Sequence, residues 1–223
     1  MTENGPSAVR DWLRGIEVFD RPLPAFRPEL APDGPVELFL GWLREAVAAG
    51  VPDPHAMTLS TVDEAGDPDA RVLILKDVGD AGGFLFAGHA TSPKGVQLGG
   101  APRAALTFYW AEFGRQVRVR GAVRRESAAR SAADFLARSD SARAEAVLGR
   151  QSRYLGDPDE RERALARSLA GIAADPGLVE PAWTLWALVP EVVEFWQATA
   201  DRSHVRLRYE REGGGWQRRR LWP

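Results

Sequence analysis

Between Pro35 and Gly50 apolar residues recur at helical spacing. Val36, Phe39, Leu40, Leu43 and Val47 fall on one face of a predicted helix, with Asp33 and Pro35 suited to its start and Gly50 to its stop. The rhythm then shortens to alternation. "AMTLSTVDEAGDPDARVLILKDV" reads as strand, turn, strand, with the turn near Asp63, Gly66 and Pro68. "GDAGG" closes another hairpin into "GFLFAGHA", "SPKGVQLGG" is a short helix, and "RAALTFYW" and "RQVRVRGAVRR" are further strands. The middle of the chain is predicted to be an antiparallel meander of about five strands, which suggests a barrel.

Helical spacing returns in "ESAARSAADFLARSDSARAEAVLG", with a break near Ser139, and in "DPDERERALARSLAGIAAD", capped at either Asp157 or Asp159. The end reads as four strands, "AWTLWALVP", "VVEFWQ", "HVRLRYERE" and "WQRRRLWP". Residues 1–32, rich in Pro, Gly and polar groups, are expected to form a flexible arm. Residues 33–223 are expected to form one mainly β domain, a barrel with flanking helices.

Composition narrows the chemistry. The 223 residues are 44% hydrophobic, enough for a core, and 29 basic against 31 acidic residues give a net charge of -2. That balance disfavours general nucleic-acid binding but allows local cationic pockets. The chain has no cysteine, which removes disulfides, thiolate metal sites and a cysteine nucleophile. The three histidines, His55, His89 and His204, lack metal-type spacing, so no metal is expected. No signal-like apolar run or membrane-length span is present, and a cytoplasmic location is expected.

Several positions suit an anion. Ser92 can cap a helix with Pro93 at its first position, and Lys94 adds a charge to exposed N–H groups. Arg71 and Lys76 bracket "RVLILK". Gln116, Arg118 and Arg120 share a face opposite Val117 and Val119, and Gln116 can pair with a heterocycle edge. Arg202, His204, Arg206 and Arg208 alternate, so a strand there gathers three guanidinium groups and an imidazole on one face, just after Trp196. Each feature also fits a solvated surface or a charged edge strand. The Gly-rich dinucleotide and triphosphate motifs are absent.

Taken in order, "AMTLSTVDEAG", "RVLILK", "HATSPKG", "RQVRVRG", "RQS", "VEFWQ", "R-S-H-V-R" and "RRLWP" resemble the pyridoxamine 5'-phosphate oxidase family of FMN flavoproteins, from about Pro35 to Pro223. The resemblance implies a split β-barrel homodimer with FMN bound between the subunits. It implies that Arg71, Ser92 and Lys94 hold the FMN phosphate region and that Gln116 reaches the flavin ring. Gln151 and Ser152 would come from the partner subunit, and Trp196 and Arg206 would flank the flavin. Arg202 and His204 would face substrate, with His204 a possible proton acceptor, and Lys76 and Arg138 match positions that grip a substrate phosphate.

The chain departs from the family pattern in places. Asp134 replaces a tyrosine one helical turn before Arg138, at a spacing that lets the two pair. Ala142, Pro93 and Val205 are further departures, as are Glu145-Ala146-Val147 and Trp183-Thr184-Leu185. "FAGHATSPKG", "FYW", "RQS" and "RLRYEREGGGW" are similar to the phenazine-biosynthesis oxidases of the same family. The resemblance thus implies an FMN-dependent oxidase passing hydride from a small anionic ring substrate to the flavin, with O2 as acceptor and peroxide as product. A dihydrophenazine-type carboxylic acid is the leading substrate class. Pyridoxine or pyridoxamine 5'-phosphate oxidation is the alternative, and a non-catalytic flavin- or anion-binding protein the second alternative.

Overall fold

The computed structural model describes residues 6–79 and 81–223, with side chains described from residue 8. Its helices are α1 (Pro6–Arg14), α2 (Pro35–Ala48), α3 (Pro93–Gly100), α4 (Ala128–Leu136), α5 (Asp140–Val147) and α6 (Pro158–Ala174). Its strands are β1 (Ala56–Val62), β2 (Pro68–Ile74), β3 (Asp77–Val78), β4 (Phe84–His89), β5 (Arg103–Trp110), β6 (Arg115–Arg125), β7 (Trp183–Gln197), β8 (Val205–Glu212) and β9 (Gly215–Leu221).

All the strand pairs are antiparallel, in the order β2-β1-β5-β6-β7-β4-β3, with β8 and β9 branching from β7. This is not the predicted meander. β1 pairs with β5, and the β3–β4 hairpin, whose residue 80 lies outside the described residues, is carried to the far side of β7. The two strands predicted at "AWTLWALVP" and "VVEFWQ" are one 15-residue strand, β7. β6 runs along one edge of it, whereas the other edge pairs first with β4 and then with β8. The sheet divides there, which makes the curled layer a split barrel.

Pro190 does not end β7 because the pairing with β6 slips there: Gly121 faces Pro190 and Arg120 faces Val192, leaving Glu191 as an extra residue on β7. A Cβ on Gly121 would lie 1.9 Å from the Val189 carbonyl oxygen, so only glycine fits the irregularity. Alternation decides the layers elsewhere. Val117, Val119 and Val123 of β6 and Leu207 and Tyr209 of β8 are buried, and Gln116, Arg118, Arg206 and Arg208 point away.

α2 lies across the concave side. Its Phe39 ring is 5.0 Å from Phe84 and 4.8 Å from Phe108, and Trp42 meets Phe195 at 5.2 Å. The buried face is Pro35, Phe39, Trp42 and Ala46, rotated from the predicted one; Val47 is 60% exposed. Gly34, rather than Asp33, occupies the cap position. The helical break falls at Ser139, whose hydroxyl caps α5, and Asp157 caps α6. The N-terminal segment contains α1, a helix where none was predicted; residues 1–5 lie outside the described residues. Among the described residues no helix is long and apolar enough to cross a membrane.

Candidate functional site

β2 and β4 part after Ile74: β2 pairs with β1, while the Lys76 N–H bonds to the Leu85 carbonyl of β4. The opening is a cleft of about 400 Å³ lined by Lys76, Lys94, Arg138, Gln151 and Trp183, among others. Four of the predicted binding residues, Lys76, Lys94, Arg138 and Gln151, therefore share one cleft. Gln151 of the same chain also lines the cleft. Ser152, like Gln151 expected from a partner, follows in a left-handed conformation with φ 64° and lines a neighbouring hollow beside Pro93.

The α3 end of the cleft has the chemistry of an anion cradle. Burial lowers the pKa of Lys94, and the charge of Arg71 lowers it further. Among the described residues no carboxylate lies within salt-bridge distance of its ammonium, which donates to Ser92 Oγ at 3.2 Å. Gly88 makes room for it: a Cβ there would stand 2.8 Å from Lys94 Cε. Ser92 precedes α3 as predicted, but its hydroxyl does not cap the helix. It donates instead to the His89 carbonyl at 2.7 Å. Arg71 is held by Thr61 Oγ1 at 2.5 Å, by Gln97 Oε1 at 3.1 Å and by Asp69.

The opposite end is built by α4 and the start of β7. Trp183 donates from Nε1 to Asp134 at 2.8 Å, and Lys76 Nζ lies 3.7 Å from the other oxygen of that carboxylate. Asp134 thus pairs with Lys76 rather than with Arg138, which corrects the expectation from their helical spacing. Arg138 stacks over the Trp183 ring at 4.1 Å and donates to the Ala142 carbonyl at 2.9 Å. Burial lowers its pKa, and Asp134 opposes that. Among the described residues, Arg138 Nε and Gln151 Oε1 are buried without a hydrogen-bond partner.

The remaining predicted residues form a second group on the outer face of β6, β7 and β8. Gln116, Trp196 and Arg206 are cross-strand neighbours in one row; Arg118, Glu194 and Arg208 form the next. β8 begins at Val205 and Arg202 sits in a turn with φ 65°, so the predicted four-residue strand face is only Arg206 and Arg208. Their repulsion is relieved by a protein carboxylate. Buried Glu194 accepts from Arg206 at 2.6 and 3.0 Å and from Arg208 at 3.1 Å, with Arg118 at 4.0 Å. The sequence reading did not single out Glu194, which is 3% exposed.

His204 packs on Trp196 at 4.7 Å, and Phe19 closes on both rings at 5.8 Å. The Thr199 N–H donates to His204 Nδ1 at 3.2 Å, so the neutral ring carries its proton on Nε2 and is a donor there.

A family model described as pyridoxamine 5'-phosphate oxidase matches residues 43–170, and one described as the pyridoxine 5'-phosphate oxidase C-terminal dimerisation region matches residues 183–223. Pyridoxine/pyridoxamine 5'-phosphate oxidases of Thermosynechococcus vestitus and Hyphomonas neptunium are each 43% identical, over 86% and 92% of this chain and 90% and 91% of theirs. The structure of PhzG from Burkholderia lata 383 in complex with tetrahydrophenazine-1-carboxylic acid aligns with a TM-score of 0.83 at 30% identity, over 90% of this chain and 99% of that one. A pyridoxamine 5'-phosphate oxidase-related, FMN binding protein from Nostoc punctiforme shares the fold, with a TM-score of 0.70 at 19% identity, over 86% of this chain and 100% of that one.

Split sheet, cationic cleft and sequence matches together define an FMN-dependent oxidoreductase. The chain belongs to the pyridoxamine 5'-phosphate oxidase family. The cleft fits the cofactor's phosphate on its own chemistry, since the desolvated Lys94 lacks an anionic partner among the described residues.

Proposed function

We propose that this oxidase dehydrogenates a small ring substrate carrying a carboxylate, as a homodimer with FMN bound between the subunits and O2 as acceptor. Bound FMN supplies the redox chemistry. Arg71, Ser92 and Lys94 hold its phosphate, and Gln116, Trp196 and Arg206 lie against its ring. Lys76 and Arg138 hold the substrate's anionic end. Arg202 and His204 orient the substrate, and His204 acts as a donor from Nε2 rather than as a proton acceptor.

The observation that carries the choice of anion is the placement of Asp134 on Lys76, 3.7 Å away. Lys76 and Arg138 bring two positive charges to this end and Asp134 removes one. The surplus matches a monocarboxylate better than a phosphate dianion. The PhzG structure contains a tricyclic carboxylic acid, in keeping with this reading.

Pyridoxine or pyridoxamine 5'-phosphate is the second reading. It is favoured by Lys76 and Arg138 sharing the cleft and by the names of the 43%-identical relatives. A peroxide-release screen of the holoprotein separates the two. Reduced aromatic carboxylic acids are expected to turn over, and pyridoxamine 5'-phosphate only poorly. Asp134→Asn keeps an acceptor for Trp183 while freeing Lys76. It is expected to lower KM for pyridoxamine 5'-phosphate by about tenfold, the scale of one charge–charge contact in a partly buried site. Ordinary turnover of the phosphorylated substrate by the unmodified enzyme rejects the carboxylate assignment.

A further inference from the structure

His89 is the one buried histidine, 5% exposed at the end of β4, and nothing above assigns it a role. Its ring touches the segments that lead to three of the cleft residues, Lys94, Gln151 and Trp183. Nδ1 lies 2.8 Å from Thr91 Oγ1 and accepts from the Thr91 N–H at 3.4 Å, within the turn that leads to Ser92 and Lys94. Accepting a backbone N–H leaves the ring proton on Nε2, which faces Glu180 Oε1 at 3.5 Å. The same Glu180 oxygen accepts from the Ala182 N–H at 3.1 Å, and the Glu180 carbonyl accepts from the Trp183 N–H at 3.0 Å. On the third side Gly149, with φ 60°, lies so close that a Cβ would stand 3.3 Å from Nε2, two residues before Gln151.

We infer that His89 is the positioning residue of this site: an imidazole that locks together the segments presenting Lys94, Gln151 and Trp183. The ring does not itself touch cofactor or substrate. It acts from a buried position by giving the Thr91 N–H an acceptor and the Glu180 carboxylate a donor. A cradle for a phosphate works only if its donors are already in place, because a loose turn must be ordered on binding. This inference rests on the assignment of Lys94 to the cofactor phosphate.

The experiment titrates apoprotein with FMN and follows quenching of flavin fluorescence, with thermal melting of each apoprotein as the folding control. His89→Leu, which removes both ring contacts, is expected to raise the Kd for FMN about tenfold or more. His89→Asn, whose side-chain oxygen stands near the Nδ1 position, is expected to recover most of the affinity. His89→Gln reaches only the Glu180 side and is expected to bind more weakly than His89→Asn. Wild-type affinity in His89→Leu, or equal affinity in the Asn and Gln variants, overturns the inference; the second comparison holds even if His89→Leu does not fold. Lys94→Met is the reference. If it binds FMN as wild type does, the phosphate assignment has failed; if it weakens binding while the His89 variants do not, only the role of His89 has failed.

Discussion

Glu194 shows how a single side chain can set the character of a surface. Without it, Arg206, Arg208 and Arg118 would crowd neighbouring strands with like charge. Burial alone would raise its carboxyl pKa, but hydrogen bonds from Arg206 and Arg208 and the charges of Arg118 and Arg206 outweigh that and leave it below the usual 4.5. A carboxylate more acidic in the folded than the unfolded chain stabilises the fold fully above the unfolded value. That stabilisation is lost as pH falls through the lowered, folded one. Thermal melting from pH 6 down to pH 3 should therefore show a steeper loss for the native protein than for Glu194→Gln. At neutral pH the same variant should be less stable by about 3 kcal/mol, since it strands arginines in a partly buried network. Parallel melting curves for the two proteins would remove the network from any account of acid sensitivity.

At the scale of elements, strand alternation was legible and strand partnership was not. β6 and β8 turn inward the valines, Leu207 and Tyr209 that a period of two selects. Nothing local, however, tells β1 to pair with β5 or sends β4 across to β7, because those choices are made by closure of the sheet. β7 was read as two strands because Pro190 interrupts it, whereas the strand runs on through an extra residue, Glu191, opposite Arg120 and Gly121. α2 failed differently. Its sequence is apolar on more than one side, so periodicity alone offered Val36, Leu40, Leu43 and Val47 as readily as Trp42 and Ala46. The two faces give opposite forecasts. Trp42→Ala should cost about 3–5 kcal/mol in chemical denaturation. Val47→Ala, at an exposed position, should stay within about 0.5 kcal/mol. A large loss at Val47 would restore the face that periodicity suggested.

On the scale of the whole molecule, the site residues fall into two groups that a single chain does not join. The cleft group (Lys76, Lys94, Arg138, Gln151) belongs to the gap between β2 and β4, and the outer group (Gln116, Trp196, Arg202, His204, Arg206) to the far half of β7 and its neighbours. Sequence showed the residue types, and the resemblance implied their roles. Neither showed that Asp134 neutralises Lys76, since the relevant spacing pointed along α4 to Arg138 rather than across to the β2–β4 gap. The proposed homodimer unites the groups by bringing one protomer's outer face to its partner's cleft, and that arrangement makes a quantitative forecast. Arg138→Ala removes a residue of the first group and Arg202→Ala one of the second, so each homodimer should lose most of its oxidase activity. A hybrid dimer, isolated from co-expression with two different tags, carries both lesions in one site and none in the other if each site draws on both chains. It should recover roughly half the native activity per dimer, with unchanged KM at the surviving site. If each site is instead built within one chain, every site in the hybrid carries one lesion and activity stays at the level of the parents. Recovery to about half thus assigns Arg138 and Arg202 to opposite sides of one shared site, and no recovery places them on the same chain.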